Sequence, residues 1–332
     1  MHDFTRTLLR RARRVFHRVL RGKRTARAPL SESSLPVDKH KRFLITTSPV
    51  IPSLADIGDP VFPLELEQAI FETTAMTHPS TIPALLRVAR RVGIWIEPLL
   101  YRVVRVNRRD HVDDMLRALV DGNKSKPADV LCTYVRHLAL ESLHHCSFYE
   151  GRSLLQRCTN VIDFGSNLWF TDPSLLPILA EMHLQRLSVN LKALFGYLPI
   201  DLNHPLFRSV THLDMFRIEG VAEILVELPT LPALTHLALD SDLSRDIVLS
   251  VLPDCPRLKL LLVQWQLFEK RDYMAARTPH VYDVRFVIGL YGDYWADWEA
   301  GAREGVDAWS RGDEFIARKR EGLIEGTCYW LT

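Results

Sequence analysis

The sequence predicts an α/β chain: a small helical unit, then a curved parallel sheet with outer helices, then a helical cap. Three observations predict it. First, one phrase (an apolar residue, two others, an apolar residue, one other, a third apolar residue) returns about every two dozen residues through the second half of the chain. It reads Val135-Arg136-His137-Leu138-Ala139-Leu140, continues around Ile162 and Phe164, and returns as Leu184-Gln185-Arg186-Leu187-Ser188-Val189. Val210-Thr211-His212-Leu213-Asp214-Met215 and Leu234-Thr235-His236-Leu237-Ala238-Leu239 follow, with weaker copies at Leu258, Leu261, Val263 and at Val281, Val284, Phe286. Second, a stretch with helical spacing precedes the phrase; third, an aromatic-rich stretch follows it. One strand–turn–helix unit cannot bury its apolar face alone, whereas stacked copies can, leaving one continuous surface suited to binding other macromolecules.

Taken in order, residues 1–30 form a basic amphipathic extension. Phe4, Leu8, Leu9, Ala12, Val15, Phe16, Val19 and Leu20 recur at helical intervals among arginines. This pattern fits a mitochondrial-type presequence, a helix lying on an anionic membrane, a nuclear import signal or a solvated basic tail. The extension holds ten of the 42 Lys and Arg but only Asp3 of the 40 Asp and Glu, leaving 32 basic and 39 acidic residues and a body near −7. The net +2 of the whole therefore conceals an acidic body. Residues 31–59, rich in Ser and Pro, are expected to be a disordered linker.

A helical unit is expected over 60–105. Pro63 suits a first helical turn, Leu66, Ile70 and Phe71 continue at helical spacing, and a second helix is expected through Leu85, Leu86, Val88, Ala89 and Val92. Pro98 is expected to open the segment that follows. Residues 106–133 are expected to be a connector, 134–290 the repeats and 291–332 the cap, whose Trp295, Trp298, Trp309 and Phe315 would cover the last open repeat. The repeat phrase and its period resemble those of leucine-rich repeats.

Catalytic signatures are missing from the sequence. It has no G-x-x-x-x-G-K-[ST], no G-x-G-x-x-G and no G-x-S-x-G. Gly151-Arg152-Ser153 and Gly165-Ser166-Asn167 are expected in repeat turns. Glu141, His144, His145 and Cys146 lack metal-site spacing, since adjacent histidines cannot both face one ion from regular structure. Asp240, Asp242 and Asp246 lack the glycine and terminal glutamate of a calcium loop. No cofactor and no metal is expected. Five scattered cysteines without a C-x-x-C pair point to a reducing, intracellular compartment, cytoplasmic or nuclear, with mitochondrial targeting by residues 1–30 left open. His137, His212 and His236 share one repeat position, expected to tolerate half-buried polar rings rather than to sense pH.

Alternation along a strand turns every second side chain to the open face. Candidate substrate-binding residues are therefore Glu141, Asp163, Asn190, Asp214, Phe216, Asp240, Gln264 and Arg285. Four carboxylates against one arginine, with Phe216 near the middle, favour a protein partner with a basic, partly apolar patch. The same charge would repel phosphates, so no nucleic acid is expected on this face.

Residues 60–105 resemble an F-box domain. Phe62-Pro63-Leu64-Glu65-Leu66 matches its opening with Phe for the usual Leu, Ile70-Phe71 its apolar pair, and Leu85-Leu86-Arg87-Val88-Ala89-Arg90-Arg91-Val92 its basic helix. Ala89 and Val92 stand where the family commonly has Cys and an aromatic residue. With the repeats and Asp293-Tyr294-Trp295-Ala296-Asp297-Trp298-Glu299 after them, the layout is similar to a fungal group of F-box-like leucine-rich-repeat proteins. That resemblance implies a non-catalytic substrate-recognition adaptor of a cullin-RING ubiquitin ligase. Phe62, Pro63, Leu64, Leu66, Ile70 and Phe71 would dock a Skp-type adaptor protein, with Arg90, Arg91 and Trp95 contributing. Leu66 and Val88 are expected to lie in the unit's own core, and Pro63 and Leu64 at the interface. The alternative is a repeat scaffold without ligase recruitment.

Overall fold

A computed structural model describes residues 62–107, 112–123, 126–141, 146–216, 221–240, 245–266 and 281–331. The expectations for residues 1–30 and 31–59, and those for His144, His145 and Asp242, lie outside the described residues. The chain divides into two units, Met1–Ile70 and Phe71–Thr332, with the division inside helix α1 (Leu64–Thr77).

In the first unit the described residues open α1. Pro63 stands just before the helix and its carbonyl accepts from the Leu66 and Glu67 amides. Glu65 and Glu67 in the first turn complement the helix dipole. Leu64 and Leu66 are 53% and 52% exposed, and Phe62 is exposed beside them. The expectation that Leu66 is core is corrected here, and so, in the second unit, is that for Val88, which is 49% exposed. Helical spacing identifies a face but not whether that face is covered.

Among the described residues the second unit is built on nine strands: β1 (Val103–Val106), β2 (His137–Leu140), β3 (Asp163–Ser166), β4 (Arg186–Val189), β5 (His212–Met215), β6 (His236–Leu239), β7 (Leu260–Gln266), β8 (Phe286–Tyr291) and β9 (Trp330–Leu331). All pair in parallel and in chain order, as stacked repeats require. The register sets like positions of the phrase side by side: Leu138, Phe164, Leu187, Leu213, Leu237 and Leu261 are successive partners. One continuous apolar core runs from Tyr101 to Tyr329 on this face of the sheet, against the connecting helices.

Those connectors include α2 (Arg90–Tyr101), α3 (Val112–Asp121), α4 (Phe148–Arg157) and α5 (Arg245–Asp254). Ser147 and Glu150 cap α4 reciprocally, which fixes where that helix begins. The second helix expected from Leu85 is instead interrupted. A one-turn helix ends at Leu85, Ala89 is extended, and α2 restarts at Arg90 and continues through Pro98. The Gly151 and Gly165 segments, expected in turns, lie in α4 and β3; a Cβ on Gly151 would meet the Phe170 ring at 3.1 Å.

Three departures from the expected organisation matter for function. The repeats begin one copy earlier, because Tyr101, Val104 and Val106 already carry the phrase and β1 crosses the expected boundary at 105/106. The last copy slips by two residues: Val281 is buried, but Phe286 and Ile288, not Val284 and Phe286, take the core positions of β8. Most consequential is the C-terminal stretch, which does more than cover the end of the repeats. Helices α6 (Tyr294–Glu304) and α7 (Ala308–Arg320) pack on the sheet's second face, and the chain then returns as β9 beside β8. A parallel sheet is ordinarily covered on both faces, and this tail supplies the second layer.

Candidate functional site: a groove at the carboxyl ends of the strands

Side chains on the tail-facing side form three rows. The first runs Val103, His137, Asp163, Arg186, His212, His236, Leu260; the second runs Arg105, Ala139, Gly165, Ser188, Asp214, Ala238, Leu262, Val287. The third follows the strand ends: Asn107, Glu141, Asn167, Asn190, Phe216, Asp240.

Most of the first two rows is occupied by the chain's own tail. The Trp298 indole N–H donates to Asp163 Oδ1 at 3.1 Å, and His137 Nδ1 sits 3.1 Å from Asp163 Oδ2. Arg186 pairs with Asp307 at 2.7 Å, and Asp307 also caps α7. The rings of His212 and His236 stack at 4.0 Å with the edge of Trp309 against both, and His236 Nε2 is 3.1 Å from Asp313. Burial, with His236 beside it, pushes His212 down to about 2, so the ring stays neutral. Burial lowers His236 too, against the pull of Asp313. Gly165 has no side chain because Trp295 occupies the place: a Cβ there would lie 2.8 Å from the indole.

Asp214 is the extreme case. The Tyr294 hydroxyl donates to its Oδ2 at 2.7 Å and Gln264 Nε2 to the same oxygen at 3.3 Å. Burial pushes its carboxyl up to about 7 despite these donors, and Asp240 adds to the rise. Burial also holds the Tyr294 phenol well above its ordinary value.

The expectation of an open acidic surface is therefore corrected for part of the set. Asp163 and Asp214 are 1% and 2% exposed, and Gln264 is buried with them. Arg285 is elsewhere: it pairs with Asp283 at 2.7 Å and donates to the carbonyls of Leu252, Cys255 and Leu258, because the slipped last copy leaves it ahead of β8. Alternation along a strand predicts these side chains' face correctly for Asp163, Asp214 and Gln264. It carries no information about what comes to lie on that face.

The third row is open only in part: Asn107 and Asn190 are buried, whereas Glu141, Asn167, Phe216 and Asp240 are half-buried. Glu141, Asn190, Phe216 and Asp240 line a cavity of about 580 Å³ with Asn167, Leu168, Trp169, Tyr291, Gly292, Asp293, Tyr294 and Trp295. Each of Glu141, Asn167, Asn190, Phe216 and Asp240 immediately follows a strand, so the cavity lies at the carboxyl ends of the parallel sheet, where open α/β sheets most often bind ligands. Asparagines build its floor. Asn190 caps the next helical turn through Ala193 N and donates to Phe216 O at 2.9 Å; Asn167 caps the turn at 168–170 and donates to Glu141 O. Each ties its own strand end to a neighbour's.

The walls are aromatic and their charge is acidic. Phe216 meets Tyr294 at 4.9 Å and Trp295 at 6.0 Å, and Tyr294 meets Trp295 at 5.0 Å, with interplanar angles of 88°, 65° and 89°. Trp169 stands 72% exposed at the rim. Arg105, buried below, binds Glu141 at 2.7 Å, Glu299 at 3.4 Å and Asp293 at 3.6 Å. Trp169, Tyr291, Asp293, Tyr294 and Trp295 escape a strand-by-strand reading. The mid-strand glycine at 165 is the one local signal that a large ring comes close.

Among the described residues no group of three or more His, Cys, Asp and Glu is placed to hold a metal ion. Nor is any helix among them long and apolar enough to cross a membrane. Comparison with known proteins finds no family model that matches this chain and no curated protein similar to it.

Proposed function

We propose that this chain is a non-catalytic recognition protein, the substrate-recognition adaptor of a cullin-RING ubiquitin ligase. In this reading the segment opening α1 docks a Skp-type adaptor protein, and the leucine-rich-repeat body presents its acidic, aromatic groove to a protein substrate. Ubiquitination would then follow from proximity, an effective-concentration device. The observation that carries the reading is the exposure of Phe62, Leu64 and Leu66 around Pro63. Fully burying an exposed Leu or Phe side chain is worth roughly 1.5–3 kcal/mol, and covering what these half-exposed side chains still show would give about half of that each. Pro63, Leu64 and Leu66 belong to the opening that resembles an F-box. Among the described residues of the groove the nucleophile, base and oxyanion donors of a hydrolytic site are not assembled, which favours binding in this reading.

The test is recovery of the adaptor with the tagged full-length chain, beside a Pro63→Ala, Leu64→Ala double variant. The reading predicts recovery with the parent and its loss in the variant at an unchanged melting temperature. No recovery with a folded parent would leave an interaction scaffold without ligase recruitment.

A further inference from the structure

We propose that Cys132 and Cys158 are a modification site at which hydrogen peroxide joins two buried thiols into a disulfide, stapling the segment before β2 to the segment before β3. This site stands apart from the groove and from adaptor docking and rests on neither. The repeat register brings the two residues together. Cys132 ends the five-residue helix Ala128–Cys132, and Cys158 follows α4. Each lies five residues ahead of the first residue of its strand, His137 or Asp163, and these two are partners in the parallel pair of β2 and β3. The same offset relates Val135 and Val161, both in the core. Equivalent positions of neighbouring copies stand about one strand spacing apart, ~4.8 Å, within the roughly 4.4–6.8 Å between Cα atoms that a disulfide spans.

Contacts on either side hold that alignment. Arg157 pairs with Asp129 at 3.0 Å, Asn160 Nδ2 donates to the Thr133 carbonyl at 2.9 Å, and Arg136 donates to the Asn160 carbonyl at 3.2 Å. Between them the thiols form a chain. Cys158 donates to the Cys132 sulfur, and Cys132 donates to the Leu119 carbonyl at 3.4 Å. Both residues are free cysteines and completely buried. Cys255 is an internal control: it also lies five residues ahead of its strand, β7, but Leu231 holds that position ahead of β6, so the copy before it offers no thiol.

The two thiols are chemically unequal. The hydrogen bond from Cys158, helped by the Arg157 guanidinium, holds the Cys132 thiol below its ordinary value despite burial. The same hydrogen bond, together with burial, raises Cys158. Burial pushes Cys146 up to about 11 and raises Cys255 as well. Cys132 is therefore the attacking sulfur. Its thiolate attacks one peroxide oxygen; the O–O bond breaks, an S–O bond forms, and the departing hydroxide recovers the thiol's proton as water. Cys158 then attacks the sulfenic sulfur of Cys132. The S–S bond forms, the S–O bond breaks, and the hydroxyl leaves with the Cys158 proton as a second water. Hydrogen peroxide is close to water in size, so a brief local opening of the short helix at 128–132 admits it.

The test is non-reducing peptide mapping of the full chain, treated with hydrogen peroxide and then denatured in an alkylating reagent. The expected product is a linked pair of peptides carrying Cys132 and Cys158, separated again by dithiothreitol. The linked chain should melt higher by about 5 °C or more, because the bond closes a loop in the unfolded chain. Cys132→Ala and Cys158→Ala should each remove both the link and the shift, and Cys255→Ala should keep both. In Cys158→Ala the sulfenic acid has no resolving thiol, so dimedone should label Cys132. No link in the peroxide-treated parent, a link through another cysteine, an unchanged melting temperature once linked, or no dimedone label on Cys132 in Cys158→Ala would each overturn the proposal. Mapping the parent needs no variant, so the proposal stays falsifiable if an alanine variant fails to fold. Adaptor recovery is scored separately on the Pro63 and Leu64 variant, so a failed thiol pair and a failed ligase reading give different results.

Discussion

The two faces of the sheet are built on different principles. Toward the connecting helices the strands repeat the same apolar positions, with the buried Ser166 of β3 an exception, and Leu138, Leu187, Leu213, Leu237 and Leu261 are all completely buried. Toward the tail no two neighbouring pairs are alike: Asp163 meets Trp298, Arg186 meets Asp307, Asp214 meets Tyr294, His236 meets Asp313, and Gly165 and Gly312 make room for Trp295 and Leu260. One face is uniform and acts through area removed from water. The other is individual, and a buried polar group there is tolerable only while its partner is in place. The lesson is that a repeat protein can spend one face on a generic core and the other on a single arrangement with a distant segment of its own chain.

The uniform face gives the largest expected effect. Leu213→Ala should cost about 2–5 kcal/mol, read by denaturant unfolding, because the void opens in the middle of a continuous core. A loss well under this range would mean that the helices on that face repack freely. Gly165→Leu attacks the other face alone, since its Cβ would lie 2.8 Å from Trp295. We expect about 1–3 kcal/mol of destabilisation, with faster proteolysis in residues 293–320 than in the strands. Equal acceleration everywhere would show that the tail is not a separable layer.

A pH series sharpens the comparison, because the core of the apolar face includes no carboxylate and no imidazole. Asp214 has its folded value raised from 3.8 to about 7, so the folded state binds the proton more tightly. Its stabilising contribution is full below the unfolded value and is lost as pH rises through about 7. His212 runs the other way, lowered from 6.5 to about 2. Its contribution is present above 6.5 and is lost as pH falls toward 2. Asp214→Asn should therefore raise the melting temperature more at pH ~8 than at pH ~4, and His212→Gln should flatten the acid limb. An unchanged pH profile in both variants would contradict the buried-pair account. The smallest effect belongs to a part-exposed pair away from both faces of the groove. Glu97→Gln breaks the 2.6 Å pair with Lys126, and a part-exposed pair of this kind should cost about 1 kcal/mol or less in chemical denaturation.

How much of this was legible in the sequence follows the same division. The apolar phrase marks β2 to β7 closely, because alternation and period are local properties of the chain. It fails at β1, where Val103, Val104 and Val106 blur the alternation, and at β8, where two extra residues precede Phe286. The tail-facing positions were right for Asp163, Asp214 and Gln264 as positions, but their burial depends on Trp298 and Tyr294, which follow them by 135 and 80 residues. No periodicity encodes such a pairing. Of the eight residues expected on the open face, Glu141, Asn190, Phe216 and Asp240 reach the groove. They do so because they follow the strands and lie beyond the rows that α6 and α7 occupy.

The central claim is that residues 294–320 form a stable second layer on the sheet. Hydrogen exchange of the full chain at peptide resolution tests it most directly. The account predicts that amides within 294–304 and 308–320 exchange as slowly as those of β3 to β6, rising together only on global unfolding. Fast exchange of both helices over protected strands would contradict it and would return the whole face, Asp163 and Asp214 included, to solvent and to partners.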